Sequence, residues 1–101
     1  MIKSKEIIIE EIESYIRTYG NVFTKWYVGI TSDIDQRLFS DHNVSKDEQY
    51  YIWRRAKTSD IAREIEKHFI DVHKTKGGPG GGDNKSDCVY AYKIIESTKK
   101  Y

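Results

Sequence analysis

Six consecutive residues, Trp26-Tyr27-Val28-Gly29-Ile30-Thr31, constrain the fold of this chain more than any other stretch. Aromatic and β-branched side chains alternate along it, so it reads as a strand. Trp26, Val28 and Ile30 then face one side, and Tyr27, Gly29 and Thr31 the other. The second face is nearly bare apart from the Tyr27 ring, which leaves the hydroxyl room to meet a ligand. The competing reading is a core strand with a half-exposed tyrosine. Ser32 or Asp33 follows as the cap of a short helix. Ile34 and Leu38 form its buried stripe, which places Arg37 at the edge of the core.

The rest of the chain arranges itself around that strand. Ile8, Ile12 and Ile16, with Tyr15 and Tyr19, recur at helical spacing over residues 5–18, while glutamates fill the other side. Gly20 ends this N-terminal helix. After the Arg37 helix comes a polar loop, Asp41 to Gln49, which contains His42. Tyr50 to Arg55 reads as a second strand. Its aromatics and its Arg54 and Arg55 fit either one buried aromatic face or a nucleic-acid surface, because rings stack on bases and guanidiniums pair with phosphates.

Thr58 or Ser59 caps a helix over roughly 60–74. Ile61, Ala62, Ile65, Phe69, Ile70 and Val72 make its apolar face. Glu66 falls within that face, where a carboxylate is costly unless it is paired or holds a metal. A buried Glu–Arg pair, or an edge glutamate that snorkels out to water, is the structural alternative. His73, at the last turn, reads as a helix-end histidine. Gly77 to Gly82 form a mobile loop. A phosphate-binding P-loop is excluded, because a helix precedes the run and no Gly-Lys-Ser/Thr follows it. Cys88 to Ile95 is the third strand, and a polar tail follows from Glu96 to Tyr101.

The pattern predicts one α+β domain over 1–101, with a small antiparallel sheet of about three strands flanked by helices and a flexible glycine-rich loop at 77–86. With 17 basic and 16 acidic residues the net charge is +1, so any DNA contact must be local. The single cysteine, Cys88, excludes an internal disulfide and a cysteine zinc cluster. No apolar run is long enough to span a membrane and no signal peptide is evident, so no membrane partner and a cytoplasmic, intracellular setting are expected.

Tyr27-Val28-Gly29, with Arg37 ten positions after the tyrosine, resembles the second half of the GIY-YIG endonuclease signature. The resemblance runs from residue 26 onward. Glu66 matches that family's metal-binding glutamate on a long helix, and Asn84 the asparagine often kept just before the last strand. His42 matches the histidine or tyrosine one helical turn after the arginine, one residue late. No Gly-Ile-Tyr strand precedes Tyr27. Tyr15 lies twelve residues ahead of it, within a segment of helical period, and Tyr19 is closer still.

The resemblance implies a metal-dependent DNA endonuclease that hydrolyses phosphodiester bonds with Mg²⁺ or Mn²⁺. Glu66 would hold the ion and Arg37 would neutralise phosphate charge. Tyr27 would be the general base, with His42 a rival base or relay and Tyr15 the stand-in for the first tyrosine. Gly29, Asn84, Arg54 and Arg55 would complete the binding surface. The alternative is a degenerate domain of this fold that binds DNA or a protein partner without cutting.

Overall fold

The sheet is assembled by its last strand. The computed structural model of the protein describes residues 2–45, 50–78 and 83–95. In it β3 (Cys88–Lys93) lies between β1 (Trp26–Thr31) and β2 (Tyr51–Arg55), and both pairings are antiparallel. The sequence explains the position. Cys88-Val89-Tyr90-Ala91-Tyr92 is apolar or aromatic at every residue and buried throughout, as a strand covered on both faces must be. β2 alternates between buried and exposed residues, which suits an edge.

Register fixes the two faces. Tyr92 stands opposite Tyr27 on one side and Tyr51 on the other, and Tyr90 opposite Gly29 and Trp53. Opposed residues share a face. One face therefore carries Tyr27, Gly29, Thr31, Tyr90, Tyr92, Tyr51, Trp53 and Arg55. The other carries Trp26, Val28, Ile30, Val89, Ala91, Ile52 and Arg54.

Two helices cover the Trp26 face. α1 (Lys5–Thr18) is capped by Ser4, whose Oγ accepts the Ile7 amide at 3.3 Å, and it buries Ile8, Ile12 and Ile16. α2 (Ser59–Val72) is capped by Thr58, whose hydroxyl accepts the Ile61 amide at 3.1 Å. It buries Ala62, Ile65 and Phe69 in the same core, and Glu66 besides. Each large apolar side chain buried there contributes about 1.5–3 kcal/mol.

A second, smaller core of Tyr27, Leu38, Val44, Tyr90 and Tyr92 covers the opposite face. This corrects the expectation of a nearly bare face: all six residues of β1 are buried. Leu38 comes from a π-helical turn, Asp35–Asp41, at whose start the Asp33 carboxylate accepts the Gln36 amide at 3.2 Å. The turn ends with the His42 amide donating to the Arg37 carbonyl five residues back, at 3.1 Å.

Other boundaries shift in the same way. Asp41 belongs to the π turn and not to the following loop, and β2 begins at Tyr51. α2 stops at Val72, which is 62% exposed and lies off the apolar face. β3 ends at Lys93. The expected mobile stretch at 79–82 and the tail at 96–101 lie outside the described residues. Among the described residues no helix is long and apolar enough to cross a membrane.

Candidate active site

Tyr27 and Tyr90 sit on neighbouring strands with near-parallel rings, their centroids 6.3 Å apart. The absence of a side chain at Gly29, directly across from Tyr90, makes this possible. A Cβ there would lie 2.5 Å from the Tyr90 hydroxyl oxygen and 2.6 Å from the ring carbon that bears it. Tyr92 adds a third ring, 5.3 Å from Tyr27 and nearly parallel to it.

His42 ties this cluster together from the π turn. Its Nε2 is 2.9 Å from the Tyr90 hydroxyl and its Nδ1 is 2.9 Å from the Tyr92 hydroxyl, and its ring is fully buried against Tyr27. A neutral imidazole donates from one nitrogen and accepts at the other. One tyrosine therefore donates to His42 and the other accepts from it. The π turn also accounts for the five-residue step from Arg37. Where the backbone bond runs i to i+5, the fifth residue lies one turn on. His42 thus stands a turn beyond Arg37 despite the extra residue.

Arg37 lies beside both front tyrosines. Its guanidinium donates to the Tyr90 hydroxyl, which holds its own pKa up against the burial that would lower it. It also pairs with Asp41 at 3.4 Å, and its side chain stays one-third exposed. Burial pushes the Tyr27 phenol upward and the Arg37 charge opposes the shift. Burial raises Tyr90 and Tyr92 still further, well beyond the ordinary phenol range.

Glu66 lies on the other side of the sheet from the tyrosine rings. α2 packs on the Trp26 face, yet the Glu66 carboxylate is near enough to raise both Tyr27 and Tyr90. Glu66 is 4% exposed. Burial pushes its pKa up to about 7, with the Arg63 charge one turn earlier opposing. The buried Glu66–Arg37 pair, the structural alternative, is not formed: Arg37 bonds to Asp41 and Tyr90 instead.

The chain after α2 closes the outer edge of β1. Lys74 adopts a left-handed conformation (φ 61°) that turns the backbone alongside the strand. The Lys76 amide donates to the Trp26 carbonyl at 2.8 Å, and the Val28 amide donates to the Lys76 carbonyl at 2.9 Å. Gly78 then passes over the Tyr27 hydroxyl, so closely that a Cβ there would lie 3.0 Å from it.

Of the residues expected at the site, Tyr27, Gly29, Arg37 and His42 gather on one face of the sheet, while Glu66 stands on α2, which packs on the other face, and the rest lie elsewhere. Tyr15 lies on α1 at the opposite face, packed edge-on to Trp26 with centroids 5.9 Å apart. Arg54 also points to that face and pairs with Glu11 at 2.8 Å, because consecutive strand residues alternate. Arg55 shares the Tyr90 face and pairs with Asp87 at 3.1 Å. The one buried side chain of β2 is Ile52, and Trp53 is 41% exposed beside Tyr90, so β2 has no buried aromatic face. Asn84 is exposed in the turn that leads into β3, and no described hydrogen bond or ion pair joins it to the cluster. Tyr90 and Tyr92 are the residues that sequence reasoning missed, although the alternation in Val-Tyr-Ala-Tyr already set both rings on one face. Compared with protein-family models, curated proteins and solved structures, the chain matches none.

Proposed function

We propose that the protein is a metal-dependent DNA endonuclease of the GIY-YIG type, with its first tyrosine supplied by the last strand. One observation carries the reading. The strand that carries Tyr27-Val28-Gly29 has Cys88–Lys93 as its antiparallel neighbour, and the Tyr90 of its Cys88-Val89-Tyr90 segment stands opposite Gly29 on the face of Tyr27. A strand of that kind is what the resemblance requires and what the sequence ahead of Tyr27 lacks. In this reading the Gly-Ile-Tyr strand has moved from before Tyr27 to the end of the chain.

The donor set fits a hard divalent cation. Glu66 offers one buried carboxylate, and a single carboxylate suits Mg²⁺ or Mn²⁺, which keep several waters. Bound at Glu66, the ion supplies a Lewis acid for the phosphate and a positive charge that favours phenolate. Arg37 binds a non-bridging phosphate oxygen and opposes the charge that develops there. Tyr27, as the phenolate, would accept the proton of the attacking water as the water oxygen bonds to phosphorus, and the leaving oxygen would take a proton from solvent as its bond to phosphorus breaks. Tyr90, fixed by His42 and Arg37, orients that reaction, and His42 links it to Tyr92 as a proton reservoir. Trp53 and Arg55, on the same face and partly exposed, extend the surface for base stacking and phosphate contact.

A second reading, a non-cleaving module that binds DNA or a protein, is favoured by the near-complete burial of Tyr27 and Tyr90, 3% and 1% exposed. A plasmid-nicking assay with added Mg²⁺, Mn²⁺ or chelator separates the two. The expected result is metal-dependent nicking that falls at least about 100-fold in Glu66→Ala and in Tyr27→Phe, several kcal/mol of transition-state stabilisation. Gel-shift binding without nicking under any metal condition would establish the non-cleaving module.

A further inference from the structure

Away from the tyrosine cluster, α1 and α2 bring two histidines and a glutamate to one point. Glu13 Oε2 lies 3.3 Å from His68 Nε2 and 2.6 Å from His73 Nε2. One ligand atom from each of the three falls within 4.8 Å of the others. All three side chains are partly buried, with 18%, 29% and 17% of their surface exposed. Aromatic rings hold the imidazoles in place. Phe23 stacks on His73 at 4.1 Å and 15°, and Phe69 meets His68 edge-on at 5.3 Å.

We propose that Glu13, His68 and His73 form a binding site for a zinc-class transition metal that staples α1 to the C-terminal end of α2. The donor chemistry supports this choice. Two imidazole nitrogens and one carboxylate oxygen suit Zn²⁺ or Co²⁺, whereas Mg²⁺ takes oxygen ligands. Metal–ligand bonds of about 2.0–2.2 Å in a tetrahedron set ligand atoms roughly 3.3–3.5 Å apart. The Glu13–His68 separation of 3.3 Å already meets that spacing. The Glu13–His73 contact of 2.6 Å is a hydrogen bond that lengthens when both nitrogens turn lone pairs to the ion. Nε2 of each histidine then loses its proton or shifts it to Nδ1, and Glu13 binds as the carboxylate. The fourth position is left to water on the exposed side.

This site is independent of the Glu66 site in ligand type and position, so its test does not rest on nuclease activity. Metal-free protein without a polyhistidine tag is titrated with ZnCl₂, CoCl₂ and MgCl₂ by calorimetry and thermal unfolding, with Co²⁺ binding also followed by visible absorption. The expected result is one Zn²⁺ per chain, a Co²⁺ spectrum of tetrahedral intensity and no Mg²⁺ response at this site. At a hundredfold excess over Kd the melting temperature rises by about 10 °C. His68→Gln and Glu13→Gln each weaken Zn²⁺ by at least about 100-fold, whereas Glu66→Gln leaves it unchanged. Failure to bind one Zn²⁺, or binding that survives in the His68→Gln/His73→Gln double variant, would overturn the proposal and leave Glu13 as a hydrogen-bond acceptor only. Should Glu13→Gln fail to fold, His68→Gln decides alone.

Discussion

Under the proposed function, Glu66 is the residue on which stability and chemistry pull in opposite directions. Its carboxyl has a pKa of about 7 in the folded protein against an ordinary 4.5, because burial disfavours the charge. Between those values the folded state binds more protons than the unfolded state, so stability falls as pH rises through the window and stays lower above it. Glu66→Gln removes this dependence. The variant is expected to match the wild type near pH 4 and to exceed it by about 2–4 kcal/mol at pH 8 in metal-free buffer. Urea unfolding at both pH values checks it, and an equal effect at both would mean that the carboxylate is already satisfied. This residue was legible in the sequence because a charge inside an apolar helical stripe has no cheap explanation. His42 was legible only in part. Its nearness to Arg37 could be read, but a five-residue step reads as a slip until the π turn is known, and no propensity signals a π turn. Its complete burial was hidden as well, since apart from Val44 the residues that follow it are polar.

At the scale of elements, periodicity gave the right faces and said nothing about neighbours. The alternation of β1 and the helical spacing of α1 and α2 follow from side-chain direction alone, and the structure keeps them. Which strand lies beside β1 depends on contacts across more than fifty residues, so the ring pair Tyr27–Tyr90 was not readable. The same holds for Glu13, His68 and His73, whose partners lie on separate helices. The β1–β3 ladder depends on Gly29 as the seat of the Tyr90 hydroxyl. Gly29→Ala places a methyl group 2.5 Å from that oxygen, and the ring must leave His42 to avoid it. Overpacking of this kind costs about 1–3 kcal/mol. Chemical denaturation measures the loss, and nicking should fall with it. An unchanged stability would show that Tyr90 has room to move and that the close approach at Gly29 is not what positions it.

For the whole molecule, the consequence is that the central strand is made last. β1 and β2 do not pair with each other, and every ladder bond between strands passes through β3. β3 also places Val89 and Ala91 in the larger core and Tyr90 and Tyr92 in the smaller one. A chain that ends at residue 78 therefore has two unpaired strands and two incomplete cores. Fewer than three strands with an uncovered face do not hold together in water. Residues 1–78 are expected to be unfolded alone, and the peptide 83–101 to be unstructured alone. Mixed, they should assemble, because the strand pairings and both cores are made within and between the two pieces. Far-UV circular dichroism of the separate and mixed fragments reads the fold, and plasmid nicking reads the site. A peptide carrying Tyr90→Phe keeps the ring and its packing but loses the hydroxyl that meets His42 and Arg37. It should restore the fold and not the nicking. Cooperative unfolding of 1–78 by itself would refute the view that β3 organises the sheet. Full nicking with the Tyr90→Phe peptide would remove Tyr90 from the catalytic cluster and leave Tyr27 to act without it.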